Sequence, residues 1–194
     1  MENQDNPSNI FVELINIQLN KEEKQDIWKN SIYKNIVKLT SNNSGLCGET
    51  FIQQLCNKSG IEADIDGCKN KKKSGDGHIK NKTVEIKTAY QGSITNSFQH
   101  ELGEIAWNAN YMIFIDISPS CIYLTIFANF TEEFYKSGNK CEPYFPSKRI
   151  TWRKKSGAFK LDTTVSINDT NIAKGYTIKI TENTPITEIK QYIN

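Results

Sequence analysis

The chain has 194 residues, 37% of them hydrophobic and 24% charged, which suits one folded domain and neither a fibre nor a disordered tail. Its longest apolar runs, such as Tyr111–Ile115, are too short to span a bilayer, and the polar opening MENQDNPSN does not read as a secretory signal, so no membrane partner and a cytoplasmic location are expected. The net charge of +2 hides two basic blocks: residues 71–100 hold six lysines against two acids, and residues 136–160 hold eight Lys and Arg against one, a pattern suited to a polyanion.

The first 20 residues match no clear pattern. Residues 21–39 predict an amphipathic helix, with Ile27, Ile32, Ile36 and Leu39 as its stripe and Trp28 beside it. SNNSG at 41–45 breaks it and caps a second helix over Leu46–Cys56, whose apolar side is Phe51, Ile52, Leu55 and Cys56. Ser59-Gly60 ends that helix. DGHIK at 76–80 and KTVEIKTA at 82–89 predict two strands joined by a tight turn near Asn81. Phe98, Leu102, Ile105 and Ala109 suggest a short helix. Tyr111–Ile117 and Cys121–Phe127 are clear strands around a Ser-Pro-Ser turn. Thr131–Ser137 predicts a helical turn and residues 143–160 an irregular basic stretch. Tyr176, Ile178 and Ile180 alternate as a late strand, and Thr184-Pro185 opens a final helix. The expected fold class is α/β or α+β, with a mixed central sheet flanked by helices.

The chemistry concentrates in Gly75–Lys87. Along a strand alternate side chains share a face, so Val84 and Ile86 point into a core while Glu85 and Lys87 point the other way together. A turn near Asn81 folds Asp76 back to within a residue or two of the level of Glu85. Two carboxylates and an ammonium then converge at one end of a hairpin. Neighbouring carboxylates repel each other and invite a hard divalent cation, and Mg²⁺ accepts oxygen ligands while keeping several waters. Such an ion polarises a phosphate and acidifies a bound water, while Lys87 is placed to orient that water and offset developing charge. The alternative is a surface hairpin with solvated charges.

These residues resemble the PD-(D/E)xK nuclease superfamily, and within it the type II restriction endonucleases, over residues 44–128. SGLCGETFIQQL resembles the first core helix, GDGHIKNKTVEIKTA the metal-binding hairpin, and SFQHE and YMIFIDI the segments that follow. The resemblance implies a restriction-endonuclease-like core, with Asp76, Glu85 and the Ile86 carbonyl as ligands of Mg²⁺. It implies Lys87 as the catalytic lysine and Glu49 as a further acid at the edge of the site. Gly75 stands where the family's namesake proline would be, and Asp64 and Asp66 are rivals for the first carboxylate. Gln99 and His100 in SFQHE fall where such enzymes face DNA; the alternative for His100 is a role inside the core. His78 is not expected to be a ligand, since Mg²⁺ prefers oxygen.

The five cysteines, Cys47, Cys56, Cys68, Cys121 and Cys141, form no close pair and read as reduced thiols without a zinc site. Only two arginines occur, Arg149 and Arg153, both in PSKRITWRKKSGAFK. A planar guanidinium grips guanine or phosphate bidentately, so Lys148, Arg149, Arg153, Lys154 and Lys155 are the expected DNA contacts. The expected function is a Mg²⁺-dependent, sequence-specific endonuclease acting on double-stranded DNA as a homodimer, with one domain over 1–194 and a recognition region at 136–160. A nicking repair enzyme, a junction resolvase and a non-catalytic nucleic-acid binder are the rivals.

Overall fold

The period-two stretches of the sequence become the strands of one large sheet. The structure, a computed structural model, describes residues 6–65, 75–93 and 95–193. Helix α1 spans Pro7–Gln25 and α2 spans Ser41–Ser59. Strands β1 (Ala63–Ile65), β2 (Gly77–Ile79), β3 (Lys82–Tyr90), β4 (Ser97–Glu101), β5 (Ala109–Ile117) and β6 (Ile122–Phe130) follow. Then come β7 (Thr151–Arg153), β8 (Ala158–Thr164), α3 (Val165–Ala173), β9 (Thr177–Ile180) and α4 (Ile186–Ile193). The six-stranded sheet runs β1-β2-β3-β5-β6-β9, and a three-stranded sheet runs β4-β8-β7. Among the described residues only β3 and β5 pair in parallel; the mixed α/β class read from the sequence is what the chain forms.

Each face of the large sheet carries its own core. Ile52, Leu55 and Cys56 of α2 pack on Val84 and Ile86 of β3 and on Ile113 and Ile115 of β5. On the opposite face Met112, Phe114, Phe127 and Phe130 pack against Leu161 of β8 and against Phe145 and Ile150. Fully burying an aliphatic or aromatic side chain of this size contributes roughly 1.5–3 kcal/mol, so the two cores fix the register of β3 and β5. No described helix is long and apolar enough to cross a membrane.

The hairpin, the central strands, the late strand and the last helix lie where the sequence places them. Four expectations need correction. Residues 21–39 are not one helix: α1 ends at Gln25, Trp28 sits in a buried turn donating to the Gln91 carbonyl at 3.2 Å, and only Lys34–Lys38 close a 3-10 turn. SNNSG does not precede α2 but forms its first turn, because Thr40 caps the helix by accepting from the Asn43 N–H. The helix expected around Phe98 is strand β4, held by a full antiparallel register with β8. Residues 143–150 are irregular as expected, but 151–160 hold β7, a turn and the start of β8, so the second half of the basic stretch is a strand pair.

Candidate active site

The tight turn at Lys80-Asn81 sets the β2–β3 register, pairing Gly77 with Val84. Asp76 therefore arrives level with Glu85. Its backbone N–H donates to the Val84 carbonyl at 2.9 Å, and its Oδ2 accepts from the Ile86 N–H at 2.6 Å. Asp76 thus replaces a missing strand neighbour along that edge of β3. A residue in a strand sends its N–H and C=O to the same edge, so the Ile86 carbonyl leaves β3 beside Asp76. Gly75 explains the absent proline. Its φ is 84°, and a Cβ there would lie 2.5 Å from the Val84 carbonyl oxygen. Proline needs a φ near −65° and carries that Cβ, so it does not fit.

Val84 and Ile86 enter the core beneath α2, while Glu85 and Lys87 leave on the other face, as alternation requires. Lys87 Nζ lies 2.6 Å from Glu85 Oε1. Helix α2 supplies the third acid. Gly48 lies so close to β3 that a Cβ would come within 1.9 Å of Thr88 Oγ1. That approach carries Glu49 to the edge of the same cleft, where its Oε2 is buried without a hydrogen-bond partner among the described residues.

The electrostatics follow from the crowding. Burial, and then the Asp76 charge, push the Glu49 carboxyl up to about 7, against the pull of Lys87. Burial also raises Asp76, although the Ile86 N–H and Lys87 oppose it, and raises Glu85, although Lys87 opposes it. Carboxyls held up by burial and by each other are short of positive charge.

A cleft of about 760 Å³ opens over this group, with Glu49, Asp76, Ile86 and Lys87 in its lining. The first turn of α2 (Ser41, Asn42, Ser44) is one side, and Gln99, Glu101 and Lys160 of the small sheet are the other. Among the described residues no group of three or more His, Cys, Asp or Glu side chains is gathered as a metal cage. Two carboxylates with one main-chain carbonyl are a smaller set. Hard oxygen donors that leave room for waters fit Mg²⁺, and the orphaned Glu49 oxygen marks a place still lacking a positive partner.

Asp64 is exposed on β1 and lies outside the cleft lining, whereas Asp76 lines the cleft. Asp66 and Cys68 fall outside the described residues. Cys47 is exposed, and Cys56, Cys121 and Cys141 are buried free thiols.

The expected DNA-facing residues divide. Gln99 lines the cleft, donating to Asp162 at 3.3 Å and accepting from Lys160 at 3.1 Å. Arg153 reaches the same Asp162 at 3.3 Å, so Arg153 and Gln99 stand on one face of the small sheet. Arg149, Lys154 and Lys155 are exposed and Lys148 is half-buried. His100 is a correction: it is 1% exposed, with Nε2 2.5 Å from Asp116 Oδ1, and cannot touch DNA there. The sequence did not single out Lys160 or Ser41, Asn42 and Ser44. Lys160 ends the basic block, and the Thr40 cap was the signal that the polar SNNSG run opens a helix.

Comparison of the chain with protein-family models, curated proteins and solved structures found no match.

Proposed function

We propose that this chain is a Mg²⁺-dependent endonuclease that hydrolyses phosphodiester bonds of double-stranded DNA, leaving 5′-phosphate and 3′-hydroxyl ends. One observation carries the reading: Asp76, folded onto the Ile86 N–H, lines a cleft at an open strand edge together with Lys87, whose ammonium pairs with the buried Glu85 just beneath. A structural ion pair has no need of a third and a fourth charged group left short of partners.

In this reading Asp76, Glu85 and the Ile86 carbonyl hold the ion, with Glu49 at its margin. The bound ion supplies Lewis-acid polarisation of the phosphate and acidifies water. Lys87 moves between Glu85 and the reacting group, orienting the attacking water and offsetting charge on the phosphoryl oxygens. Gln99, Lys160 and the first turn of α2 position the backbone across the cleft. Arg149 and Arg153, with Lys148, Lys154 and Lys155, extend the basic surface along which a duplex is read. Cutting both strands takes two such sites, which two copies of the chain supply.

The test is incubation of supercoiled plasmid with the protein and Mg²⁺, with and without chelator, followed by end mapping. Discrete fragments that require Mg²⁺ and vanish in Lys87→Ala, with DNA binding kept, support the reading. Nicks or junction cuts alone would move the same site to repair or resolution. DNA retention without any cleavage would leave a binding protein.

A further inference from the structure

The outer face of the small sheet holds an acid, Asp162, just past the end of the basic block. Gln99 and Glu101 of β4 stand opposite Asp162 and Lys160 of β8, and alternation sends all four away from the buried Leu161 and Thr163. Lys160 Nζ donates to Gln99 Oε1 at 3.1 Å, which turns the Gln99 amide so that its Nε2 donates to Asp162 Oδ1 at 3.3 Å. Arg153 sits opposite Ala158, beside the β7–β8 turn. Its side chain reaches back along this two-stranded ribbon and brings Nη2 within 3.3 Å of Asp162 Oδ2.

The Arg153 and Asp162 side chains are 51% and 37% exposed, and a solvated pair of this kind contributes little to stability. An acid beside a basic block also weakens attraction to a polyanion. Neither the fold nor general affinity for phosphates accounts for Asp162.

We infer that Arg153 and Asp162 together read one G·C base pair from the major groove, with Asp162 as the specificity-determining acceptor. Across that groove a G·C pair presents two acceptors, guanine N7 and O6, and then one donor, the cytosine N4 amino group. The guanidinium has N–H donors besides the one turned to Asp162, and each Asp162 oxygen has a lone pair besides the one it uses. Arg153 and Asp162, held side by side, thus present two donors and then an acceptor. An A·T pair breaks that order, because its N6 donor lies between the N7 and O4 acceptors. The minor-groove edge of G·C fails too, since its one donor belongs to guanine and not to cytosine. A two-stranded ribbon is also what the ~12 Å major groove admits and the ~6 Å minor groove does not. Lys154 and Lys155, exposed at the ribbon's turn, are placed for flanking phosphates. Asp162 stands opposite Gln99 of the cleft wall, so the base pair it reads lies beside the backbone that the cleft holds.

The inference rests on the DNA-binding half of the proposed function and not on catalysis. Its test selects bound duplexes from a random-sequence pool, using the full chain with Lys87→Ala in Mg²⁺. A G·C pair at a fixed position is expected in the bound pool. Asp162→Asn on that background keeps the size but adds an amide donor, and should lower the preference for that pair about tenfold or more with an unchanged urea midpoint. Replacing the selected guanine by 7-deazaguanine, which lacks N7, should weaken binding about tenfold. Inosine, which lacks only the minor-groove amino group, should bind as guanine does. A bound pool with no fixed G·C pair overturns the inference, as does a preference that survives Asp162→Asn or a loss seen with inosine alone. Wild-type cleavage of plasmid at sites without that pair would overturn it and leave the nuclease reading standing. Selective binding without wild-type cleavage would do the reverse, and no binding to DNA would overturn both.

Discussion

Among the described residues the buried acids around Asp116 and those at the cleft are satisfied very differently. At the core, Asp116 accepts from Thr163 Oγ1 at 2.7 Å and Asn168 Nδ2 at 2.6 Å, with His100 Nε2 at 2.5 Å. Carboxylate oxygens accept, so the Nε2-protonated tautomer of the imidazole completes the set. At the cleft, among the described residues, Asp76 has one backbone donor, Glu85 has one lysine, and Glu49 Oε2 has none. Acids that hold a fold together are saturated with donors. Acids left short at a cleft are held there by the surrounding packing at a cost, and a ligand removes that cost.

The sharpest way to break this contrast is to remove the carboxylate from each cluster. Asp116→Ala strands three buried donors and should cost about 3–5 kcal/mol of unfolding free energy, read from urea titration. Asp76→Asn keeps an acceptor for Ile86 but deletes a crowded charge. It should leave metal-free stability at pH 8 equal or higher, while cleavage falls on the order of 10²–10³-fold, as for loss of one preorganised charge. Equal destabilisation by the two variants would erase the distinction between the clusters.

A subtler effect concerns pH. Glu49 is raised in the folded state to about 7, so the native protein binds the proton more tightly than the unfolded chain. Its contribution is present in full below the unfolded carboxyl value and is lost as pH rises through about 7. Between those points metal-free stability should decline by on the order of 1–2 kcal/mol, allowing for the solvent that still reaches Glu49. Glu49→Gln should flatten that slope, and Mg²⁺ should raise the thermal midpoint most at high pH. Thermal scans across pH 5–8 measure both.

The smallest expected effect belongs to the arginines. The Arg153–Asp162 pair is largely solvated, with side chains 51% and 37% exposed, so Arg149→Lys with Arg153→Lys should change stability by no more than about 0.5 kcal/mol. Charge is kept, so non-specific DNA binding should persist in filter assays. Selection among sites should relax by about 1–3 kcal/mol per lost bidentate contact.

How much of this was legible in the sequence depended on how local the determinants were. The hairpin could be read because alternation in KTVEIKTA and one turn position fix where Asp76 meets Glu85. The clear strands Tyr111–Ile117 and Cys121–Phe127 could be read for the same reason. His100 could not be placed, because its burial depends on Asp116, Thr163 and Asn168, far along the chain. Strand β4 was misread as helix because Phe98, Leu102 and Ile105 happen to fall at helical spacing, while its pairing with β8 is long-range. Helix α1 was unassigned because its apolar residues cover too wide an arc to make a stripe. The cleft wall was hidden for a similar reason: Lys160 looks like the tail of a basic loop until β8 is seen beside β4.

The Asp116 cluster joins β5 of the large sheet to β4 and β8 of the small one and to α3. It acts as a rivet through the jaw: the wall bearing Gln99 and Lys160 cannot swing outward from the floor bearing Asp76 and Lys87 without tearing hydrogen bonds out of a dry interior. The aperture is therefore preset, and if duplex DNA enters it as proposed, flexible base steps should be admitted more readily than stiff ones.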